Sequence, residues 1–502
     1  MPTRTLSLFD PAQRVRNTII AGVVVLLFSF LVAMSVGADE KLAFMVAGGI
    51  ALFLLSFTST DFALSVLILS MLLSPEFTFG SAGGVGQMSQ RNVVIRLEDL
   101  ILAIITISWL ARTAVNKDLG VFVRTPLNQA IFYYWLAGLF STILGIFAGN
   151  VRPAIGILYN IKYFQYFLIY FMVNSYVNDM NALRRYFRLI MLTAIIVSAY
   201  AMTQIPQGQR VSAPFEGEAG EANTLGGYLV LMMAISLGIM SQAKSLKPLV
   251  SWGGLLLFMS VPFLYTLSRS SWISLIPVLF VVFLMTPRRG FLLRIGLPVL
   301  VILPLVLPDS VYERFEYTFT DSWATREDVV MVGDTTLDPS TSARITSWSS
   351  TIEQWTERPV FGWGVTGAGF KDAQYFRILA EAGALGLTLF LYLLFRIGQV
   401  SLHSIQRLDR QRHAKWFGMA IGYYAGFWGL LTHGIGANTF IIVRIMEPFW
   451  FLTALVIMLP DMIEKEESMI ESKKRQSGLE QLDVDTKEKE ALRKLLHPGD
   501  SP

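Results

Sequence analysis

The sequence predicts an all-α polytopic membrane protein of about fourteen transmembrane helices with one large external loop, on three observations. Across 502 residues, 53% are hydrophobic and only 16% charged, whereas soluble domains carry about 25% charge. A soluble coat is missing, and a bilayer supplies the apolar solvent that outward-facing Leu, Ile and Phe need. The apolar residues fall into runs near the ~20 residues a helix needs to cross a ~30 Å hydrocarbon core. Basic residues between the runs alternate from rich to sparse, as orientation in a membrane requires.

In chain order the expected spans are 17–37, 41–58, 60–74, 97–113, 127–148, 156–177, 187–206, 223–242, 248–267, 270–286, 291–308, 373–396, 416–436 and 439–460. Several are short, so a merged or re-entrant segment within 41–74 stays open. Arg4, Arg14 and Arg16 precede the first run with no small-residue cleavage site after it, so it reads as an uncleaved span and not a signal peptide. Placing that end inside puts Arg112, Lys117 and Arg124 in the cytoplasm. The same holds for Arg184, Arg185, Arg188, Lys244, Lys247, Arg288, Arg289, Arg294, Arg396, Arg407, Arg410, Arg412 and Lys415. The short external connections hold only Lys41, Arg91, Arg96, Arg152, Arg210 and Arg269.

The resulting organisation is a cytoplasmic N-terminus at 1–16, a bundle at 17–308, an external loop at 309–371, a second bundle part at 372–460 and a cytoplasmic tail at 461–502. The loop carries ten acidic and five basic side chains around a turn-rich centre, Val332-Gly-Asp-Thr-Thr-Leu-Asp-Pro339. The tail holds eight Lys and Arg among acids and few apolar residues, and reads as a frayed helix or disorder. An even number of spans returns it to the cytoplasm.

Without cysteine there are no disulfides, thiolate metal sites, Fe–S clusters or Cys nucleophiles, and four His disfavour a multi-histidine metal site. No metal or cofactor is called for, and nothing points to nucleic acid. Ser81-Ala-Gly-Gly-Val-Gly86 lacks the Gly-Lys-Ser/Thr of a phosphate loop and reads as turns. Asp483-Val-Asp485 has the form of a metal-binding acidic triplet but no domain around it. Glu216, Glu218 and Glu221 read as a solvated acidic loop ahead of a divalent-cation site. Ser268 and Ser270 have no external His partner except His433 near a helix end, which disfavours a serine hydrolase triad.

Charges that break the inside-positive pattern carry the functional signal. Lys162, Arg377 and Arg444 fall inside expected spans, in the outer third of each. Intramembrane cations are costly and mark functional sites by default. With Arg152, Arg210 and Arg269 at external span ends, cations gather from at least five helices. Taken singly there are blander readings: Lys162 can snorkel, and Arg377 can pair with Glu381 at i,i+4. Taken together they suit an anion entering from the bilayer, a lipid-linked phosphate or pyrophosphate gripped by guanidinium forks. Such cations also stabilise charge on a departing pyrophosphate without a metal.

Four patches then resemble the superfamily of O-antigen polymerases and O-antigen ligases. Arg210-Val-Ser-Ala-Pro-Phe-Glu-Gly, followed by Asn223-Thr-Leu-Gly-Gly-Tyr-Leu229, is similar to its Arg-then-Asn loop entering a helix. Thr266-Leu-Ser-Arg-Ser-Ser-Trp272 resembles its Ser-Arg-Ser/Gly signature. Arg344-Ile-Thr-Ser-Trp348, continuing to Arg358-Pro-Val-Phe-Gly-Trp-Gly364, is similar to its Arg/Trp stretch ending in a Pro-x-x-Gly-x-Gly turn. Asp372-Ala-Gln-Tyr-Phe-Arg-Ile-Leu-Ala-Glu-Ala-Gly-Ala-Leu-Gly386 resembles the segment that closes the large periplasmic loop. The resemblance runs in order over roughly residues 200–460. One position departs, because Asp372-Ala373 stands where the ligase-like pattern has His followed by Asn, Ser or Gln.

The resemblance implies a GT-C-type membrane glycosyltransferase at the periplasmic face of a bacterial inner membrane. It implies a polymerase joining undecaprenyl-pyrophosphate-linked oligosaccharide repeats into exopolysaccharide or O-antigen, with inversion at the anomeric carbon. Donor and acceptor lipid-linked glycans, membrane lipids and chain-length regulator or export proteins are the implied partners. The alternatives are a ligase passing glycan to lipid A-core or protein, and a lipid-linked glycan flippase. Arg210, Arg269 and Asp372 are the expected catalytic residues, the arginines on the pyrophosphate and Asp372 on the acceptor hydroxyl. Lys162, Asn223, Arg344, Arg377, Glu381 and Arg444 are the further expected substrate contacts. Asp372 equally suits an N-cap for a helix beginning near Gln374. Within the loop, Ile345, Trp348, Ile352 and Trp355 share one helical face, suited to a membrane surface or to packing over helix ends.

Overall fold

The computed structural model describes residues 40–78, 94–115, 124–208, 210–216, 221–306, 308–319, 329–332, 335–369 and 371–496. The expected span 17–37, the stretch 81–86 and Glu218 lie outside the described residues. The helices are α1 Glu40–Thr58, α2 Thr60–Leu73, α3 Leu97–Val115, α4 Asn128–Phe147, α5 Pro153–Tyr176, α6 Met180–Gln204, α7 Ala222–Ser241 and α8 Leu246–Tyr265. They continue as α9 Arg269–Met285, α10 Arg289–Val306, α11 Asp309–Phe319, α12 Pro339–Glu357, α13 Gln374–Gln406, α14 Ala414–Gly436 and α15 Val443–Leu496. Two antiparallel hairpins are minor: β1 Glu76–Thr78 with β2 Val94–Arg96, and β3 Met331–Val332 with β4 Thr335–Thr336.

Every expected span within the described residues coincides with a helix. Among the described residues, six helical segments are long and apolar enough to cross a membrane: Asn128–Phe147, Met180–Gln207, Ala222–Ser241, Leu246–Tyr265, Gln374–Gln406 and Val443–Lys473. Outward-facing Leu257 on α8 and Ile276 on α9 are 70% and 66% exposed, an apolar surface suited to lipid. The chain is an integral membrane protein. Within 41–74, α1 and α2 are separate helices, with Ser59 between them accepting from Phe62 N at 3.2 Å as the cap of α2.

Helix α7 is the centre of the bundle, buried along its whole apolar window among α8, α9 and α14. Small residues permit the approach: a Cβ added at Gly418 of α14 would stand 2.7 Å from the Gly238 carbonyl oxygen of α7. Such stripes let apolar helices gain dispersion contact where no hydrophobic force drives them together.

Helix α13 is broken at Gly383, whose φ of 68° and ψ of −168° are not helical. The freed backbone groups are paired by the segment just upstream. Trp363 N donates to Ala380 O at 2.9 Å, Gly364 N to Glu381 O at 2.8 Å, and Ala384 N to Pro359 O at 2.8 Å. Ser141 of α4 adds its hydroxyl to Phe361 O and Glu381 O at 2.5 and 2.6 Å. The Pro-x-x-Gly-x-Gly turn is therefore a strap across a helix break, with Gly362 and Gly364 at φ of 67° and 88°.

Helix α15 continues through residue 460 to Leu496 and so carries the expected tail. Arg184–Glu466 at 2.8 Å and Arg407–Asp461 at 2.6 Å tie the first turns of this extension to α6 and to the end of α13. Residues 309–371 hold α11, the β3–β4 hairpin and α12. Along α12 the fully buried side chains are the small polar Ser342 and Thr351, while Ile352 is 47% exposed. Trp348 does pack, stacking on Phe376 with ring centroids 5.1 Å apart.

Replacing Gly383 by Ala places a Cβ in the left-handed region and against the Val360 carbonyl, a cost of about 1–3 kcal/mol. The thermal midpoint in detergent should fall by several degrees. Gly254→Ala on α8, which meets nothing within 4 Å, should leave it unchanged or raised.

Candidate functional site

Three segments meet at one end of the bundle: loop 210–216 before α7, the turn 266–268 before α9, and α12. Arg269 is the first residue of α9, after the N-cap Ser268. Its guanidinium grips Asp338 as a fork, Nη1 to Oδ2 at 2.7 Å and Nη2 to Oδ1 at 2.8 Å. Asp338 is fully buried and caps α12, accepting from Ser340 N at 3.1 Å and from the Thr341 hydroxyl at 2.6 Å. Burial pushes this carboxyl up, but the hydrogen bonds from Arg269 and Thr341 overcome that and hold it at about 2. The pair joins the long loop to the bundle.

Arg210 donates from Nε to Thr266 O at 2.9 Å, and Val211 N donates to Tyr265 O at 3.2 Å. Between them Leu267 sits at φ of 49°, a strained backbone for a branched residue. Partial burial lowers the Arg210 guanidinium, as do Arg314 of α11, Arg344 of α12 and Arg269. Burial likewise lowers Arg344; Asp372 opposes this and Arg269 adds to it. Guanidinium stays protonated, so these shifts describe charges held partly out of water, with neighbouring cations adding to the cost. Asp372 Oδ2 lies 3.9 Å from Arg344 Nε, within ion-pair reach and beyond a hydrogen bond. Asp372 is not the cap of α13, because Ala373 occupies that position with no side-chain cap.

Asn223, at the start of α7, is reached by a buried chain of hydrogen bonds. His433 Nδ1 meets Thr439 Oγ1 at 2.7 Å, and its Nε2 meets Ser271 Oγ at 3.1 Å. Ser271 donates to Ser268 Oγ at 2.8 Å, and Ser268 donates to Asn223 Oδ1 at 2.8 Å. With Ser271's hydrogen given to Ser268, the bond to His433 has Nε2 as donor and the Ser271 oxygen as acceptor. Ser271 is fully buried, so this is a scaffold and not a hydrolase nucleophile. It orients the Asn223 amide with its N–H groups turned away from Ser268.

The structure thus brings together Arg210, Arg269, Arg344 and Asp372, with Asn223 attached through Ser268. It does not bring in the other four. Lys162 is held by Asp99 at 2.8 Å. Arg377 is buried, donating from Nε to Glu381 at 3.1 Å and from Nη2 to the Tyr163 hydroxyl at 2.9 Å; Glu381 also accepts from Thr366 N at 3.3 Å. This is the bland i,i+4 reading. Arg444 is completely buried, donating to Pro214 O, to Ser74 O at 3.0 Å and to Phe215 O at 3.3 Å. Nearby Glu216 is no solvated acid: it accepts from Ala213 N and Glu221 N at 3.2 and 3.0 Å. Burial pushes its carboxyl up to about 7 against the pull of Arg444.

Arg314, Asp338 and His433 are absent from the residues picked by sequence. Asp338 followed by Pro339 is an N-cap signature, so that one signal was present.

Asp338 binds its proton more weakly folded than unfolded, so its contribution is present above the ordinary value of 3.8 and lost as pH falls towards 2. Pepsin cleavage within 339–357 should accelerate across that window, and Asp338→Asn should be cut quickly throughout it. His433→Leu strands the Ser271 and Thr439 hydroxyls, a loss of about 1–3 kcal/mol that thermal unfolding would register.

No curated protein matches the chain at a significant level. A family model described as O-antigen ligase matches residues 254–391, a stretch that contains Arg269, Arg314, Asp338, Arg344 and Asp372. That match supports placing the chain in the O-antigen polymerase and ligase superfamily.

Proposed function

We propose that the protein is a polysaccharide polymerase, joining undecaprenyl-pyrophosphate-linked oligosaccharide repeats at the periplasmic face of the inner membrane. The observation that carries this reading is the gathering of Arg210, Arg269, Arg314 and Arg344 into one electrostatic neighbourhood with Asp372 beside Arg344. The fold in this reading is of the GT-C type, with about fourteen spans and both termini cytoplasmic. The donor is the growing chain on its lipid pyrophosphate, and the acceptor is the next lipid-linked repeat.

Because the Arg269 fork is occupied by Asp338, Arg210 and Arg344 are the primary pyrophosphate ligands, and Arg269 adds its field from a fixed position. Asp372 accepts the proton of the acceptor hydroxyl as the oxygen attacks the anomeric carbon. The anomeric C–O bond breaks and its electron pair leaves with the pyrophosphate, whose growing charge the arginines stabilise. In-line attack inverts the anomeric carbon. The reaction calls on no metal or cofactor.

The second reading, an O-antigen ligase delivering glycan to lipid A-core or protein, is favoured by the description of the matching family. Purified protein given synthetic lipid-linked repeat alone separates the two. A polymerase produces a ladder, and strict dependence on another acceptor selects the ligase. Arg210→Ala and Arg344→Ala should each lower turnover about 100-fold or more in protein that inserts normally. Full output from both would remove the pyrophosphate site.

A further inference from the structure

At the opposite end of the same helices lies a second basic cavity of about 240 Å³, lined by Gln242, Lys244, Arg288, Arg410, Gln411 and Ala414. Helix α7 runs from Asn223 to this cavity over 20 residues, a rise of about 30 Å, so the two sites are separate. Three connections converge here: α7 to α8, α9 to α10, and α13 to α14. Each places one cation on the wall.

The cavity is built and not incidental. Its floor is Gln242, 4% exposed, whose Nε2 donates to Ser241 Oγ at 2.9 Å and Thr286 Oγ1 at 3.1 Å. Its Oε1 accepts from Arg410 Nε at 3.1 Å. That bond holds the guanidinium by its inner nitrogen and leaves the two outer ones for a ligand. Lys244 donates to Gln411 O at 2.8 Å, and Arg288 Nη1 donates to Ala243 O. All three partners are neutral. Neighbouring cations at this end do find carboxylates, Arg184 on Glu466, Arg407 on Asp461 and Arg412 on Asp409 and Glu467. Among the described residues, no carboxylate forms an ion pair with Lys244, Arg288 or Arg410; Asp409, next to Arg410 in the chain, is turned to Gln411 N at 2.7 Å and to Arg412.

We propose that this cavity binds the phosphate of an anionic phospholipid headgroup. Its volume is below the ~300–1,000 Å³ of pockets that enclose drug-sized ligands, and suits a phosphate with a few attached carbons. Two guanidinium groups and an ammonium match phosphate oxygens. Basic recesses between helix ends at the membrane surface are where lipid phosphates dock. The exposed apolar faces of α8 and α9 beside the cavity leave the acyl chains in contact with helix. A bound headgroup would clamp three connections that otherwise repel, independently of whichever glycan the other site handles.

The full chain is reconstituted in nanodiscs of dioleoylphosphatidylglycerol, dioleoylphosphatidylcholine or mixtures, and retained lipid is counted by native mass spectrometry. The phosphatidylglycerol form should be retained in preference and should raise the unfolding midpoint. Each cation removed should weaken retention about fivefold, so Lys244→Gln with Arg288→Gln and Arg410→Gln should lose about 100-fold. A charge-matched control, Lys247→Gln with Arg289→Gln and Arg294→Gln, removes exposed cations from two of the same connections outside the cavity, and should stay within about twofold. Arg410→Gln alone serves if the triple variant does not fold. Millimolar inorganic phosphate that displaces the lipid and stabilises equally would identify a free phosphate as the ligand of the same site. Equal loss in cavity and control variants, or equal retention of the two lipids, would overturn the proposal.

Discussion

Hydrocarbon offers no water to a backbone that leaves the helix, so each freed N–H and C=O must find a partner inside the protein. That constraint acts most sharply at Gly383, where α13 breaks. The strap Pro359–Gly364 answers it with backbone hydrogen bonds to both sides of the break. The consequence reaches beyond the helix, because the strap is also the exit of α12. At its entry α12 is fixed by the Asp338 fork on Arg269. A helix fastened at both ends can hold Arg344 against Asp372 without much packing of its own, which agrees with the small polar residues on its buried side.

Two kinds of cation emerge once their partners are known. Lys162, Arg377 and Arg444 are held by carboxylates or carbonyls within the fold. Removing a partner from such a pair would leave a buried charge uncompensated, the costly case. Arg210 instead donates to the Thr266 carbonyl and lies in the field of Arg314, Arg344 and Arg269. Cations gathered in this way raise the local concentration of anions.

Helix positions were legible because each expected span is an apolar run, and a run is a local property. The cationic cluster was half legible: its members broke the side rule, yet so did Lys162 and Arg444, whose partners Asp99 and Ser74 are far away in sequence. Arg377 and Glu381 could be paired because i,i+4 is a helical neighbour distance. His433 could be set on the same side as Ser268 and Ser270 by topology, but its bond to Ser271, 162 residues away, has no periodicity to announce it. The continuation of α15 was hidden for a different reason. Its partners on α6 and after α13 stabilise a polar helix that composition alone assigns to solvent.

Helix α7 has the hydropathy of a lipid-facing span and, in the finished bundle, an entirely buried apolar window. The two properties belong to different moments. On the ribosome α7 is complete about 170 residues before α14 begins, and at about 5–20 residues per second that interval is roughly 9–35 s. During it the helix must survive in the bilayer without the glycine face of α14 that later receives Gly238. Its Leu, Ile and Met therefore answer first to lipid solubility and only afterwards to shape. Assembly of the core is a late exchange of lipid contacts for protein contacts, and the rate of that exchange governs how long an immature bundle persists.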